Sequence, residues 1–145
     1  MSIISIAVIV FLLLETANVI TLYFFPGSRI ANGLGVFNAW EKSKSDPEMH
    51  RFVRYLVNWV AGTKLIFIAL LIVILFTGDN NTKLYTVIAL IFSILSFFWR
   101  LFPSIRNMDR NKQITPIGYS KTLGIMIFCF IAGFCFALLI TMFKT

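Results

Sequence analysis

The sequence contains little cysteine, proline, glycine or histidine. Its 145 residues include only 2 Cys, 4 Pro, 8 Gly and a single His. Two cysteines are too few for a disulfide-rich secreted domain, and one histidine excludes a bis-histidine haem or a multi-histidine metal site. No complete catalytic motif is present either. The sequence therefore predicts no metal ligand, no cofactor and no catalytic residue, and it favours a protein that is not an enzyme.

Charged residues are also scarce, whereas apolar residues are abundant. Asp, Glu, Lys and Arg make up 13% of the chain and apolar residues 59%, with a mean hydropathy of +0.87. An ordinary soluble domain has about 25% charged and about 45–50% apolar residues. A soluble fold of this length could not bury so much apolar surface, and disorder requires the opposite composition. We therefore expect an all-α, polytopic integral membrane protein that forms a single domain over residues 1–145.

Four stretches are long and apolar enough to cross a membrane as helices, because the hydrocarbon core requires about 20 mostly apolar residues. They cover residues 3–25, 55–76, 84–102 and 121–143. Pro26 and Gly27 end the first stretch and Pro103 ends the third, since proline lacks the N–H that would continue a helix. We expect these spans to form an antiparallel four-transmembrane-helix bundle.

Basic residues are concentrated in the two connections that lie on the same side of the predicted spans. Ten Lys and Arg residues lie in or beside these connections, whereas only Lys83 and Lys144 lie on the other side. The positive-inside rule then places both connections in the cytoplasm and both termini on the non-cytoplasmic side. The net charge of +7 predicts membrane lipids with anionic headgroups as partners. Nucleic acid is not predicted, because there is no separate basic domain.

The first connection contains a helical pattern. Its apolar residues recur at helical spacing: Ile30, Leu34, Phe37 and Trp40. Such a pattern beside a membrane span is typical of a helix that lies in the interface, so we expect a cytoplasmic interfacial helix here. The second connection, residues 104–120, is polar, and we expect it to be irregular.

The start of the second span carries a capping signal. Asp46 precedes Pro47, and these residue types favour the N-cap and the first helical position, respectively. We therefore expect one helix from about Pro47 through Phe76, with its first two turns outside the bilayer. His50 lies in those turns, and we expect it to be solvated or to face lipid.

Two charged residues lie at a depth where they are costly. A Glu or Lys at the centre of a bilayer costs at least ~2.5–3.5 kcal/mol, so such groups usually face the protein interior and pair. Glu15 lies ten residues from the cytoplasmic end of the first span, and Lys64 lies ten residues past Arg54 on the second. At ~1.5 Å per residue both are about 15 Å deep. We expect Glu15 and Lys64 to form an ion pair.

Further polar side chains fall in the cytoplasmic half of the first three spans. With the charge pair they make up the predicted ligand-binding set: Glu15, Lys64, Asn18, Asn58, Ser96, Arg54 and Arg100. A polar cleft between these spans, opening to the cytoplasm, would contain all of them. These side chains could instead be structural. Membrane helices use such polar groups for interhelical hydrogen bonds, and arginines near the interface extend to lipid headgroups. Aromatic residues at the same boundary, among them Tyr119, are typical of an aromatic belt.

The sequence leaves three functions open. The favoured one is a small membrane binding or transport protein whose cleft holds a small ion or an amphipathic ligand. The second is a non-catalytic accessory or assembly subunit of a larger membrane complex. The row of small residues Cys129, Gly133 and Ala137 on the fourth span would suit such a contact or a homo-oligomer. The third is a lipid-modifying enzyme at the cytoplasmic interface, for which His50 and nearby carboxylates are the available groups.

Overall fold

The chain folds into helices joined by short connections. The computed structural model describes residues 2–143. Its elements in chain order are α1 (Ile3–Phe24), a 3-10 helix (Leu34–Val36), α2 (Asn38–Ser43), α3 (Pro47–Thr77), α4 (Asn80–Arg110) and α5 (Tyr119–Phe143). The four long helices α1, α3, α4 and α5 are each long and apolar enough to cross a membrane. The predicted all-α class and the number of candidate spans are therefore confirmed.

The helix boundaries at both ends of the first connection follow their sequence signals. α1 ends at Phe24, just before the Pro-Gly pair. At the start of α3 the Asp46 side chain accepts hydrogen bonds from the backbone N–H groups of Glu48 at 3.0 Å and Met49 at 3.1 Å. These bonds satisfy donors that a helix start leaves without partners. The predicted helix from Pro47 is confirmed, and it runs to Thr77.

The prediction that Pro103 ends its helix is wrong, because α4 continues through this residue. A proline inside a helix costs about 3 kcal/mol, and beyond Pro103 the last turns of α4 are bonded to the start of α5. The buried Asp109 carboxylate accepts hydrogen bonds from the backbone N–H groups of Gly118 at 2.9 Å and Ser120 at 3.0 Å. It also accepts one from the Ser120 hydroxyl at 2.6 Å. The second connection is therefore helical in its first part and irregular only over residues 111–118.

The predicted helix through Ile30 and Trp40 is also wrong. Residues 25–33 form turns, in which Ala31 and Asn32 have positive φ angles of 50° and 56°. Ile30 is 76% exposed, whereas Trp40, which lies in α2, is 6% exposed. The apolar spacing thus arises from a turn and two short helical segments, and a left-handed backbone at two residues is incompatible with a continuous right-handed helix.

The two connections meet in a short backbone pairing. The Asn38 N–H donates to the Gln113 carbonyl at 2.9 Å, and the Thr115 N–H donates to the Val36 carbonyl at 2.8 Å. Both pairs join residues that are far apart in sequence, within an isolated antiparallel bridge. The two connections therefore lie together at one end of the long helices. We call this end the loop side and the opposite end the terminal side.

His50, which we expected to be solvated or to face lipid, is half-buried and packs against α2. Its Nδ1 lies 2.9 Å from the Ser43 Oγ, and its ring centroid lies 4.9 Å from that of Trp40. This contact forms because α2 folds back onto the first turns of α3. The sole histidine is thus engaged in holding the first connection against the long helix.

α1 is the central helix, since it packs against α3 and α5 and also contacts α4. The ring of Phe11 makes edge-to-face contacts with Phe67 of α3 and with Phe130 and Phe134 of α5, at centroid distances of 5.4–6.1 Å. Such aromatic pairs add to the packing of the three helices. α3 and α4 touch each other little, and their divergence leaves space beside the middle of α1.

Candidate ligand-binding site

Glu15 of α1 and Lys64 of α3 form the ion pair that the sequence predicts. The Lys64 Nζ lies 2.7 Å from the Glu15 Oε2, and the two side chains are 32% and 23% exposed, respectively. Each charge reduces the cost of burying the other. Because neither side chain is fully buried, both charged groups remain reachable from the adjoining space.

Asn18 connects this pair to the loop that follows α1. Its Oδ1 accepts a hydrogen bond from the Lys64 Nζ at 2.6 Å, and its Nδ2 donates to the Ala31 carbonyl. Asn18 is 5% exposed and lies three residues after Glu15, which places both on one face of α1. Lys64 therefore has two oxygen partners on α1, and one of them is also bonded to the loop.

A cavity of about 470 Å³ lies beside the pair, toward the loop side. Glu15, Asn18 and Lys64 line one end of it, and Asn32 and Tyr119 line the other. The walls between these ends are apolar and come from all four long helices and the first connection. They include Leu22, Phe37, Val57, Phe97, Leu101 and Leu123. The cavity is therefore largely apolar, with a polar group at each end.

A second cavity, of about 490 Å³, lies between α1, α3 and α4, where α3 and α4 diverge. It shares Glu15, Val60 and Lys64 with the first cavity, and Thr63 and Ser93 add polar groups to its lining. The charge pair thus lies where two spaces meet. One space extends toward the loop side, and the other follows the gap between α3 and α4.

The polar end near the loops is lined by a contact between the first connection and α5. The Tyr119 hydroxyl donates to the Asn32 Oδ1 at 3.0 Å. The sequence does not point to this pair, because its members are 87 residues apart. For Asn32 alone the sequence gives a hint of a turn, since asparagine is one of the few residue types that tolerate a left-handed backbone.

The remaining predicted ligand residues lie away from the pair. They are exposed side chains of α3 and α4: Arg54, Asn58, Ser96 and Arg100. None of them lines either cavity. The Ser96 hydroxyl donates to the Ser93 carbonyl of its own helix at 2.6 Å, and the Arg100 guanidinium lies 5.8 Å from the Trp99 ring centroid. Of the seven predicted ligand-binding residues, the structure therefore brings together Glu15, Lys64 and Asn18.

Comparison of the chain with protein-family models, with curated proteins and with solved structures finds no match. The structure itself defines a class of protein. It is an all-helical chain with four helices able to span a membrane and with a charge pair on the wall of a mostly apolar cavity. A charge pair beside an apolar surface is suited to a ligand that has both a charged and an apolar part.

Proposed function

We propose that this chain is a small multi-pass membrane protein that binds a small amphipathic molecule beside Glu15 and Lys64 and exchanges it with the bilayer. In this proposal the four long helices cross the membrane as an antiparallel bundle, with α2 in the cytoplasmic interface. Both connections lie in the cytoplasm and both termini outside, in agreement with the positive-inside rule. The observation that carries the proposal is a reachable charge pair at one end of an apolar cavity.

The size and lining of this cavity favour an amphipathic molecule over a bare ion. Small-molecule sites occupy roughly 300–1,000 Å³, and a cavity of about 470 Å³ falls within that range. A hard cation needs several oxygen ligands, whereas the pair offers one carboxylate that is already bonded to Lys64. A ligand with a charged head at the pair and an apolar chain along the walls matches the whole surface.

The pair can accept a head group of either sign. An ammonium head would bond to Glu15, and Asn18 would then keep one hydrogen bond to Lys64. A carboxylate head would bond to Lys64 in competition with Glu15. Because an unpaired charge at this depth is costly, the ligand must replace the partner that it displaces. This exchange of partners is the proposed basis of binding and release.

The gap between α3 and α4 supports a route from the bilayer. The second cavity follows this gap and reaches the same charge pair. An amphipathic molecule could therefore leave the membrane laterally and keep its chain in contact with apolar side chains. The loop-side polar end, with Asn32 and Tyr119, would then contact any polar group at the opposite end of the ligand.

We expect a charged single-chain amphiphile to stabilise the protein in nanodiscs. With dodecylamine or dodecanoate at about 100-fold its Kd, the free energy of unfolding should rise by about 2.7 kcal/mol. Thermal unfolding would measure this rise, and the Glu15→Gln/Lys64→Met variant should not show it. Arg100→Gln serves as the control, because it removes an exposed charge that lines neither cavity. The proposal fails if neither amphiphile stabilises the parent, or if the double variant responds like the parent.

An accessory-subunit role has one observation in its favour. An apolar groove of about 360 Å³ lies between α1 and α5, lined in part by Ala7, Cys129 and Gly133. A Cβ at Gly133 would meet nothing within 4 Å, so a partner helix could approach closely there. Co-purification of a stoichiometric partner in mild detergent would support this role, and a single species of this chain alone would contradict it.

A further inference from the structure

A separate cavity of about 580 Å³ lies on the loop side, between the end of α4 and the start of α5. Its charged lining residues are Arg106, Arg110 and Lys121, together with Asp109. It shares no lining residue with either cavity beside Glu15 and Lys64. Three cations from two helices therefore surround a space that the proposed amphiphile site does not use.

These cations have no ion-pair partner within the described part of the chain. Over residues 2–143 the ion pairs are Lys44 with Glu41 and Lys64 with Glu15. Arg106, Arg110 and Lys121 are exposed side chains. Their positive charge is thus available to an anion in the cavity.

Asp109 does not neutralise this cluster by a direct contact, because its carboxylate is occupied by the start of α5. One oxygen accepts from the Gly118 N–H, and the other accepts from the N–H and hydroxyl of Ser120. The carboxylate therefore serves as the cap of α5. The lining therefore has three cations against one carboxylate, which also attracts the nearby Lys121, and two positive charges remain in excess.

The rim of the cavity is apolar. Ile117 is 78% exposed and lines the cavity together with Phe102. Phe102 is held in place by close contact with α5, since a Cβ at Gly124 would lie 2.7 Å from the Phe102 ring. A ligand that fits this site has an anionic head for the three cations and an apolar part that leaves past Phe102 and Ile117.

We propose that this cavity binds the phosphate of an anionic phospholipid headgroup. Arginine guanidinium groups form paired hydrogen bonds to phosphate oxygens, and lysine adds a point charge. The acyl chains would continue along the apolar rim into the bilayer, next to the C-terminal end of α4 and the N-terminal end of α5. A soluble phosphate compound would use the same cations, but it would gain nothing from the rim.

The test measures lipid binding to the purified protein in detergent by native mass spectrometry. The probes are dioleoyl phosphatidylglycerol, dioleoyl phosphatidylcholine and inorganic phosphate. The parent should bind phosphatidylglycerol more tightly than phosphatidylcholine, and Arg106→Gln/Arg110→Gln should lose roughly fivefold in affinity for each cation removed. Arg29→Gln/Arg51→Gln is the matched control, since it removes two exposed arginines outside the cavity, and it should retain the parent's affinity.

Equal binding of the two lipids, or an equal loss in both double variants, would overturn the proposal. Inorganic phosphate that binds as tightly as phosphatidylglycerol would also overturn it and would indicate a site for soluble phosphates. Both double variants should keep the amphiphile-dependent stabilisation at Glu15 and Lys64. This readout confirms that they are folded, and it separates failure of the lipid site from failure of the amphiphile site.

Discussion

Replacing Lys64 with Met is expected to destabilise the protein by about 3 kcal/mol, the lower end of the range for a buried pair, because it leaves the partly buried Glu15 carboxylate without its ion-pair partner. The variant also removes the 2.6 Å hydrogen bond to Asn18. Glu15→Gln should cost less, since the amide oxygen can still accept a hydrogen bond from Lys64. Unfolding titrations in mixed micelles would measure both changes.

The double variant Glu15→Gln/Lys64→Met provides the decisive comparison. It contains neither charge of the pair, so its loss in free energy of unfolding should be clearly smaller than the sum of the losses in the two single variants. Arg100→Met is the matched control, because it removes an exposed cation away from the pair, and it should change stability little. If the costs of the single variants simply add, the two charges do not interact as the 2.7 Å contact indicates.

Gly35→Ala is expected to displace the first connection and to lower the free energy of unfolding by about 3 kcal/mol, the upper end of the usual range for overpacking. A Cβ at this position would lie 2.8 Å from the Gly27 carbonyl carbon and 2.9 Å from the Ser28 carbonyl oxygen. Both neighbours are backbone, so no side-chain rotation can relieve the clash. Because Ala31 and Asn32 lie in the same connection, their bonds to Asn18 and Tyr119 should weaken.

Unfolding titrations and limited proteolysis would measure the effect of Gly35→Ala. Cleavage within residues 25–37 should become faster, and the amphiphile should stabilise the variant less than the parent. Gly133→Ala is the control, since its Cβ would meet nothing within 4 Å and alanine favours a helix by about 1 kcal/mol over glycine. A Gly35→Ala variant with the parent's stability and cleavage rate would contradict this packing of the connection.

The charge pair could be predicted from the sequence because one physical constraint dominates it. A lone charge in hydrocarbon is costly, and Glu15 and Lys64 lie at matched depth on helices joined by a single connection. The cap at Asp46 was predictable for a similar reason, since its hydrogen bonds are local. In both cases nearby residues or simple helix geometry determine the contact.

The other members of the site could not be predicted in this way. Residues that share one face of a helix still leave open which neighbour that face meets, and Asn58 and Ser96 are exposed side chains that line neither cavity. The contact of Asn32 with Tyr119 depends on how two distant segments pack. α4 continues through Pro103, and beyond it Asp109 bonds to Gly118 and Ser120 of the following segment. Tertiary packing, which local patterns do not encode, decided each of these features.

The most direct test of the proposed site is the reactivity of a cysteine at Val60, which lines both cavities beside the pair. The native thiols Cys129 and Cys135 are exposed and would first be replaced with Ser. In oriented proteoliposomes, a membrane-impermeant methanethiosulfonate reagent should label Val60→Cys from the loop side, and dodecylamine or dodecanoate should slow that labelling. Leu70→Cys is the control, since Leu70 is 60% exposed on the part of α3 nearer the terminal side, where we expect lipid contact and no labelling. Labelling of Val60→Cys only from the terminal side, or at a rate that neither amphiphile changes, would contradict a ligand-binding cavity at Glu15 and Lys64.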